Sequence, residues 1–172
     1  LKTIDNYAFS LTTIDTIRFP ASLEVIGANS FNGTSNLKSI EFPSDSKLKK
    51  VDKKAFVYSK MKSISLPASV EYIDDECFMF TPDLCKIDVS PENKFFKVID
   101  CNYIVKESVH GSGVFDVIVI ARRNLETITI PSHIKVINNS AFYNCNMMKN
   151  INFEPNSSLE IIQDYVFYYV KL

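Results

Sequence analysis

Apolar and polar positions along this chain follow one short phrase that returns at a period of about two dozen residues. The phrase opens with a run in which apolar and polar residues alternate, such as Leu37-Lys-Ser-Ile-Glu-Phe42, and a proline follows. Met61 to Leu66, Leu84 to Val89, Leu125 to Ile130 and Met148 to Phe153 repeat that run. Period-2 alternation puts Ile40 and Phe42 on one face and Ser39 and Glu41 on the other, so each run is expected to be a short, half-buried strand. Proline brings no N–H to a ladder, so Pro20, Pro43, Pro67, Pro91, Pro131 and Pro155 end the strands at one phase.

A second extended piece follows, as in Leu23-Glu-Val-Ile26 or Ile134-Lys-Val-Ile137. Gly27, Asp74 or Asn138 comes next, with Asp5, Asp52 and Gln163 at the same place in the other copies. Asp and Asn there are expected to cap a single helical turn that carries an Ala-Phe pair inward. Phe9, Phe31, Phe56, Phe78, Phe142 and Phe167 form that aromatic column. One such unit cannot bury its own apolar face, whereas stacked copies line identical residues into inner columns. The expected architecture is a single solenoid domain over residues 1–172, with the Phe column as its spine.

The pattern L-x-x-I-x-I-P-x-x-V-x-x-I-x-x-x-A-F resembles the BspA-like leucine-rich-repeat proteins, a family of microbial surface proteins, over nearly the whole chain. The resemblance implies an α/β, right-handed leucine-rich-repeat solenoid. It would have a concave parallel β-sheet, with short extended pieces and single helical turns on the other side. It also suggests attachment or adhesion to host proteins, at the cell surface or outside the cell. On the sheet's outward face the repeat would align Thr16, Ser39, Ser63, Lys86, Thr127 and Asn150 in one column. Arg18, Glu41, Ser65, Asp88, Thr129 and Asn152 would form a second. Both columns are polar and poor in the Trp, Tyr and Arg that dominate compact hot spots. A broad contact spread over many copies suits them better.

The phrase fails once. Between Pro91 and Pro131 the Ala-Phe turn is missing, and about 92–124 forms an irregular copy. Asn102 to Lys106 and Val114 to Ile120 read as a β-hairpin around Gly111-Ser-Gly113, and register returns at Asn124-Leu125. A similar insertion is part of the family resemblance. Tyr103, Lys106, His110, Arg122 and Arg123 make it a candidate binding feature. The competing reading is that it fills a gap in the stack.

Net charge is −1, which gives no whole-chain field to draw nucleic acid. No apolar stretch approaches the roughly 20 residues of a membrane-spanning helix. His110 and His133 have no partners at metal-ligand spacing, so no metal or other cofactor is expected. His110, Ser112 and Asp116 are the residue types of a hydrolase triad, but all lie in one short loop without a locking group, and no enzymatic activity is expected. Cys77 stands in the small inward place held by Ala8, Ala55 and Ala141, and Cys145 also reads as a core thiol. Cys85 falls at an exposed strand position and Cys101 opens the hairpin, so no disulfide framework is expected. Asn32, Asn138 and Asn156 head N-x-Ser/Thr sequons.

The partner is therefore expected to be a protein, such as a host extracellular-matrix or surface protein. The alternative is an intracellular, cytoplasmic scaffold, which unpaired cysteines favour. The chain begins and ends within a copy and reads as a piece of a longer array. Uncapped apolar ends at Leu1 and Leu172 would then promote self-association.

Overall fold

The computed structural model describes residues 1–170, so Leu172 lies outside the described residues. In chain order the strands are β1 (Thr3–Ile4), β2 (Thr16–Arg18), β3 (Val25–Ile26), β4 (Ser39–Glu41), β5 (Lys50–Val51), β6 (Ser63–Leu66), β7 (Tyr72–Ile73) and β8 (Lys86–Val89). They continue as β9 (Phe96–Ile99), β10 (Tyr103–Lys106), β11 (Val117–Ala121), β12 (Thr127–Ile130), β13 (Val136–Ile137), β14 (Asn150–Phe153) and β15 (Ile161–Ile162). The copies stack as about 7 turns of a parallel β-solenoid.

The alternating runs pair in register with their counterparts in the next copy. β2 lies parallel to β4, β6 to β8 and β12 to β14, with Ile17 opposite Ile40, Ile64 opposite Ile87 and Ile128 opposite Ile151. The second extended pieces form the parallel sheet β1-β3-β5-β7. Identical residues meet because the strands pair in register, while copies that differ in length by a few residues take up the difference between the strands.

The expected helical turn is absent: no helix occurs among the described residues. The reason lies in the backbone. Five copies place left-handed residues two positions before and two after the Phe: Tyr7 and Leu11, Asn29 and Gly33, Lys54 and Tyr58, Ser140 and Asn144, Tyr165 and Tyr169. A left-handed residue ends an α-helix. The amides a helix would keep for itself run sideways instead, from Phe9 N–H to Ser30 O at 2.7 Å, Phe31 N–H to Ala55 O at 2.8 Å and Phe56 N–H to Cys77 O at 2.9 Å. The expected Asp caps serve these tight turns, Asp74 Oδ1 accepting from Glu76 N–H at 3.0 Å.

A hydroxyl column completes the turn. Thr12, Thr34 and Thr81, each three residues after its Phe, donate to the carbonyls of Phe9, Phe31 and Phe78. Gly27 is dictated by a neighbour, since a Cβ there would meet Asn6 Oδ1 and Ile4 O at 2.8 Å each.

The Phe spine is inward as expected. Phe9, Phe31, Phe56 and Phe78 stack with centroid spacings of 5.0, 5.3 and 5.5 Å, and Phe142 stacks on Phe167 at 5.4 Å. Between Phe78 and Phe142 the stack is interrupted, and there the insertion enters. It is a three-stranded meander rather than a lone hairpin, because β10 pairs antiparallel with both β9 and β11. β11 then pairs parallel with β13, so the irregular copy rejoins the stack in the sheet β9-β10-β11-β13-β15.

The insertion's strands do not project; they divide the core. Ile104, Val119 and Ile120 pack with the first cluster, which runs from Ile4 through Phe96. Tyr103, Val105, Ile118 and Ala121 pack with the second, which holds Phe142 and Val166. Strands buried on both faces are apolar at nearly every position, which accounts for Val117-Ile-Val-Ile-Ala121. For the strands, the gap-filling reading is the one that holds.

Arg123 closes the gap beside this wall. It is 3% exposed, with Nη1 donating to Ala141 O at 2.9 Å, Nη2 to Phe78 O at 3.2 Å and its backbone N–H to Leu84 O at 2.6 Å. Burial lowers its pKa, and burial pushes the neighbouring thiols of Cys77 and Cys145 up.

Candidate functional site

Strand alternation delivers the expected outward columns. Thr16, Arg18, Glu41, Ser65, Lys86, Asp88, Thr127, Thr129, Asn150 and Asn152 are exposed, while Ser39 and Ser63 are half-buried. Parallel register sets Thr16 beside Ser39, Ser63 beside Lys86 and Thr127 beside Asn150, and likewise Arg18 beside Glu41, Ser65 beside Asp88 and Thr129 beside Asn152. Arg18 Nε meets Glu41 Oε2 at 2.8 Å, and Ser39 Oγ donates to Thr16 Oγ1 at 3.1 Å. Both partners of the ion pair are half or more exposed, so it contributes about 1 kcal/mol at most.

The columns do not form one continuous sheet. They fall into three two-stranded ladders, with the insertion between β8 and β12. At that break a cavity of about 260 Å³ is lined by Cys85, Lys86, Ile87, Asp88, Cys101 and Arg122. Here the structure unites two groups of residues that lie far apart in sequence, Lys86 and Asp88 from the columns and Arg122 from the irregular copy. Arg122 Nε donates to Asn102 Oδ1 at 3.0 Å and its Nη1 to Asn124 Oδ1 at 2.9 Å. Both acceptors are neutral amides, so the guanidinium is aimed without its charge being cancelled.

A larger groove of about 660 Å³ runs past the ends of β4, β6 and β8, lined by Pro43, Pro67 and Pro91 together with Glu41, Phe42 and Ser65. The prolines read in sequence only as strand terminators. Their common phase was the signal that they would also share a wall.

The other insertion candidates divide. Tyr103 and Arg123 are buried, 1% and 3% exposed, and are therefore removed as contact residues: Tyr103 packs in the second core and Arg123 bridges two turns. Burial raises the Tyr103 phenol to about 12. Lys106 is half-buried, 3.8 Å from Asp75 Oδ1, which also accepts from Asn138 Nδ2 at 2.6 Å. Burial raises the Asp75 pKa, against the pull of Lys106 and Asn138. His110 is exposed and stacks on Phe95 at 5.2 Å.

The loop after β10 is ordered by two carboxylates. Glu107 accepts from Gly111 and Gly113 N–H, and Asp116 accepts from Ser108 N–H and Oγ at 2.8 Å each. Asp116 also pairs with Lys135 Nζ at 3.4 Å, and Ser112 Oγ accepts from Val114 N–H. His110, Ser112 and Asp116 are thus each engaged elsewhere and form no relay. Among the described residues no helix is long and apolar enough to cross a membrane.

A search of curated proteins finds no match. Among solved structures, the pneumococcal vaccine antigen PcpA is similar over 98% of this chain and 40% of its own, at 26% identity and a TM-score of 0.89. A leucine-rich repeat protein from Eubacterium ventriosum covers 99% of this chain and 49% of its own, at 20% identity and TM-score 0.78. A leucine rich cell surface protein from Faecalibacterium prausnitzii covers 87% and 44%, at 18% identity and TM-score 0.69. The chain therefore spans less than half the length of each of these relatives. The model of the BspA type leucine rich repeat region matches residues 2–103 and 119–172 in 6 copies, leaving out the loop, most of β10 and the start of β11. With the strand, proline and Ala-Phe phases all in place, the chain belongs to the BspA type leucine-rich repeat family.

Proposed function

We propose that this chain is a non-enzymatic protein-interaction module of a cell-surface protein, one that adheres to a host extracellular-matrix or surface protein through the outward face of β2, β4, β6, β8, β12 and β14. The observation that carries the reading is the set of polar columns held in register by parallel pairing. At the break they are joined by the aimed guanidinium of Arg122 beside Lys86 and Asp88. Rows of small polar groups at regular spacing suit a partner that touches many copies weakly, where summed modest contacts give avidity. A vaccine antigen and a cell surface protein share the fold, which supports display outside the cell.

The test immobilises extracellular-matrix proteins and compares the chain with a Lys86→Ala, Arg122→Ala double variant. The expected result is saturable binding that the double variant weakens at least threefold. No saturable binding to any matrix protein, or equal binding by the variant, would reject the reading.

A second reading, an intracellular scaffold, is favoured by the four free cysteines, of which Cys85 and Cys101 are exposed. Antibody labelling of the full-length protein on intact and permeabilised cells separates the two. Labelling only after permeabilisation would select the scaffold.

A further inference from the structure

The cavity at the break holds two thiols as well as charges. Cys85 and Cys101 both line it, both are exposed, and both are free. They arrive from different copies. Cys85 directly precedes β8, its Sγ donating to Lys62 O at 3.4 Å. Cys101 is the middle residue of the three-residue connection (100–102) between β9 and β10, where Asp100 and Cys101 both have left-handed φ, 50° and 54°. β9 and β10 each pack against β8, so strand packing rather than flexible side chains holds the turn near Cys85. Cys77 and Cys145 are buried beside Arg123, with their thiols pushed up by burial, and are set apart from this chemistry.

We propose that Cys85 and Cys101 form a reversible disulfide that ties the insertion's first turn to β8 and narrows the cavity at the break. The oxidant is a small external disulfide such as oxidised glutathione. One cysteine thiolate attacks a sulfur of that disulfide, giving a mixed disulfide and one free small thiol. The second cysteine then attacks the protein sulfur of the mixed bond and expels the other small thiol. Two electrons pass from the cysteine pair to the external disulfide, and the two cysteine protons end on the two departing thiols. Lys86 and Arg122 place positive charge at the cavity against the single carboxylate of Asp88, which favours an anionic disulfide as the reagent. The proposal is independent of what the outward face binds.

The test equilibrates the reduced 172-residue chain in a series of reduced and oxidised glutathione, then traps, denatures and alkylates it for intact mass and peptide mapping under non-reducing conditions. The expected result is joint loss of the Cys85 and Cys101 thiols at one midpoint, with a linked peptide containing both and a net loss of two hydrogens. Cys85→Ser and Cys101→Ser, each checked for native circular dichroism, should instead stop at a stable single glutathione adduct on the remaining exposed cysteine. Wild-type protein that ends with separate adducts on Cys85 and Cys101, or as a dimer linked through either, would overturn the proposal.

Discussion

Replacing Arg123 separates two roles that its position combines, filling space and carrying charge. Its guanidinium spans from the Phe78 turn to the Ala141 turn, where the aromatic stack is broken, and its Nε has no partner among the described residues. Arg123→Ala leaves a void in a packed region, and large-to-Ala changes in such places cost about 2–5 kcal/mol. The two lost hydrogen bonds to a charged donor are worth about 1.5–3 kcal/mol each. Against them stands the relief of no longer holding a cation away from water without a carboxylate. The carbonyls are not left bare, because Phe78 O still accepts from Thr81 Oγ1 at 2.6 Å and Ala141 O from Ala121 N–H at 2.9 Å. The polar terms therefore nearly cancel and the void decides. Arg123→Ala should cost about 3 kcal/mol, whereas Arg123→Met, which refills the space, should cost less than about 1.5 kcal/mol. Urea unfolding followed by circular dichroism and tyrosine fluorescence reads both. The Ala variant should also show two transitions, one for each core. A loss below about 1 kcal/mol in Arg123→Ala would refute the bridging role, and equal losses in the two variants would show that charge outweighs volume.

Three further outcomes are expected. Phe56, stacked between Phe31 and Phe78 and fully buried, should cost about 3 kcal/mol or more as Phe56→Ala; a loss under about 1 kcal/mol in a denaturant melt would contradict the spine. Burial alone would raise the Asp116 carboxyl, but the Ser108 hydroxyl and amide and Lys135 outweigh it and hold its pKa below 3.8. Its stabilisation is therefore present above the ordinary carboxylate range and is lost as pH falls through the lowered folded value. Asp116→Asn should cost about 1–3 kcal/mol at pH near 7 and flatten the acid limb of stability, and an unchanged slope down to pH ~3 would count against this. Of the three sequons, Asn32 Nδ2 donates to Asn29 and Asn138 Nδ2 to Asp75, whereas Asn156 is exposed. Expressed through a eukaryotic secretory pathway, the chain should gain one glycan that Asn156→Gln removes; a glycan on Asn32 or Asn138 would refute that accounting.

The spine was legible because phase alone assigns it. Phe56 and Ile64 point inward at the places that their phase in the repeat assigns. That the turn is not helical was not legible because spacing says nothing of φ, and Tyr7 and Lys54 are ordinary residues held left-handed in turns whose amides, such as those of Phe9 and Phe56, serve the neighbouring copy. The outward columns followed from alternation, yet their division at β8 did not, since the path of an inserted segment is a tertiary matter. Val117 to Ala121 carried a signal of two-sided burial in its unbroken apolar run. Arg122 and Arg123 looked alike in sequence. One aims into the outward cavity and the other enters the core, a difference set by which face of the extended chain each occupies after Ala121.

The wall of β10 and β11 also determines how far damage travels. In an uninterrupted solenoid each copy leans on the next, so a local failure spreads along the stack. Here the two cores are parted by strands that turn some side chains to each, with Arg123 bridging beside them, and the second is the smaller. A pull along the stack should empty the second core first while the first stays folded. The insertion then acts as a mechanical fuse, confining rupture to one half and leaving the β2, β4, β6 and β8 face intact.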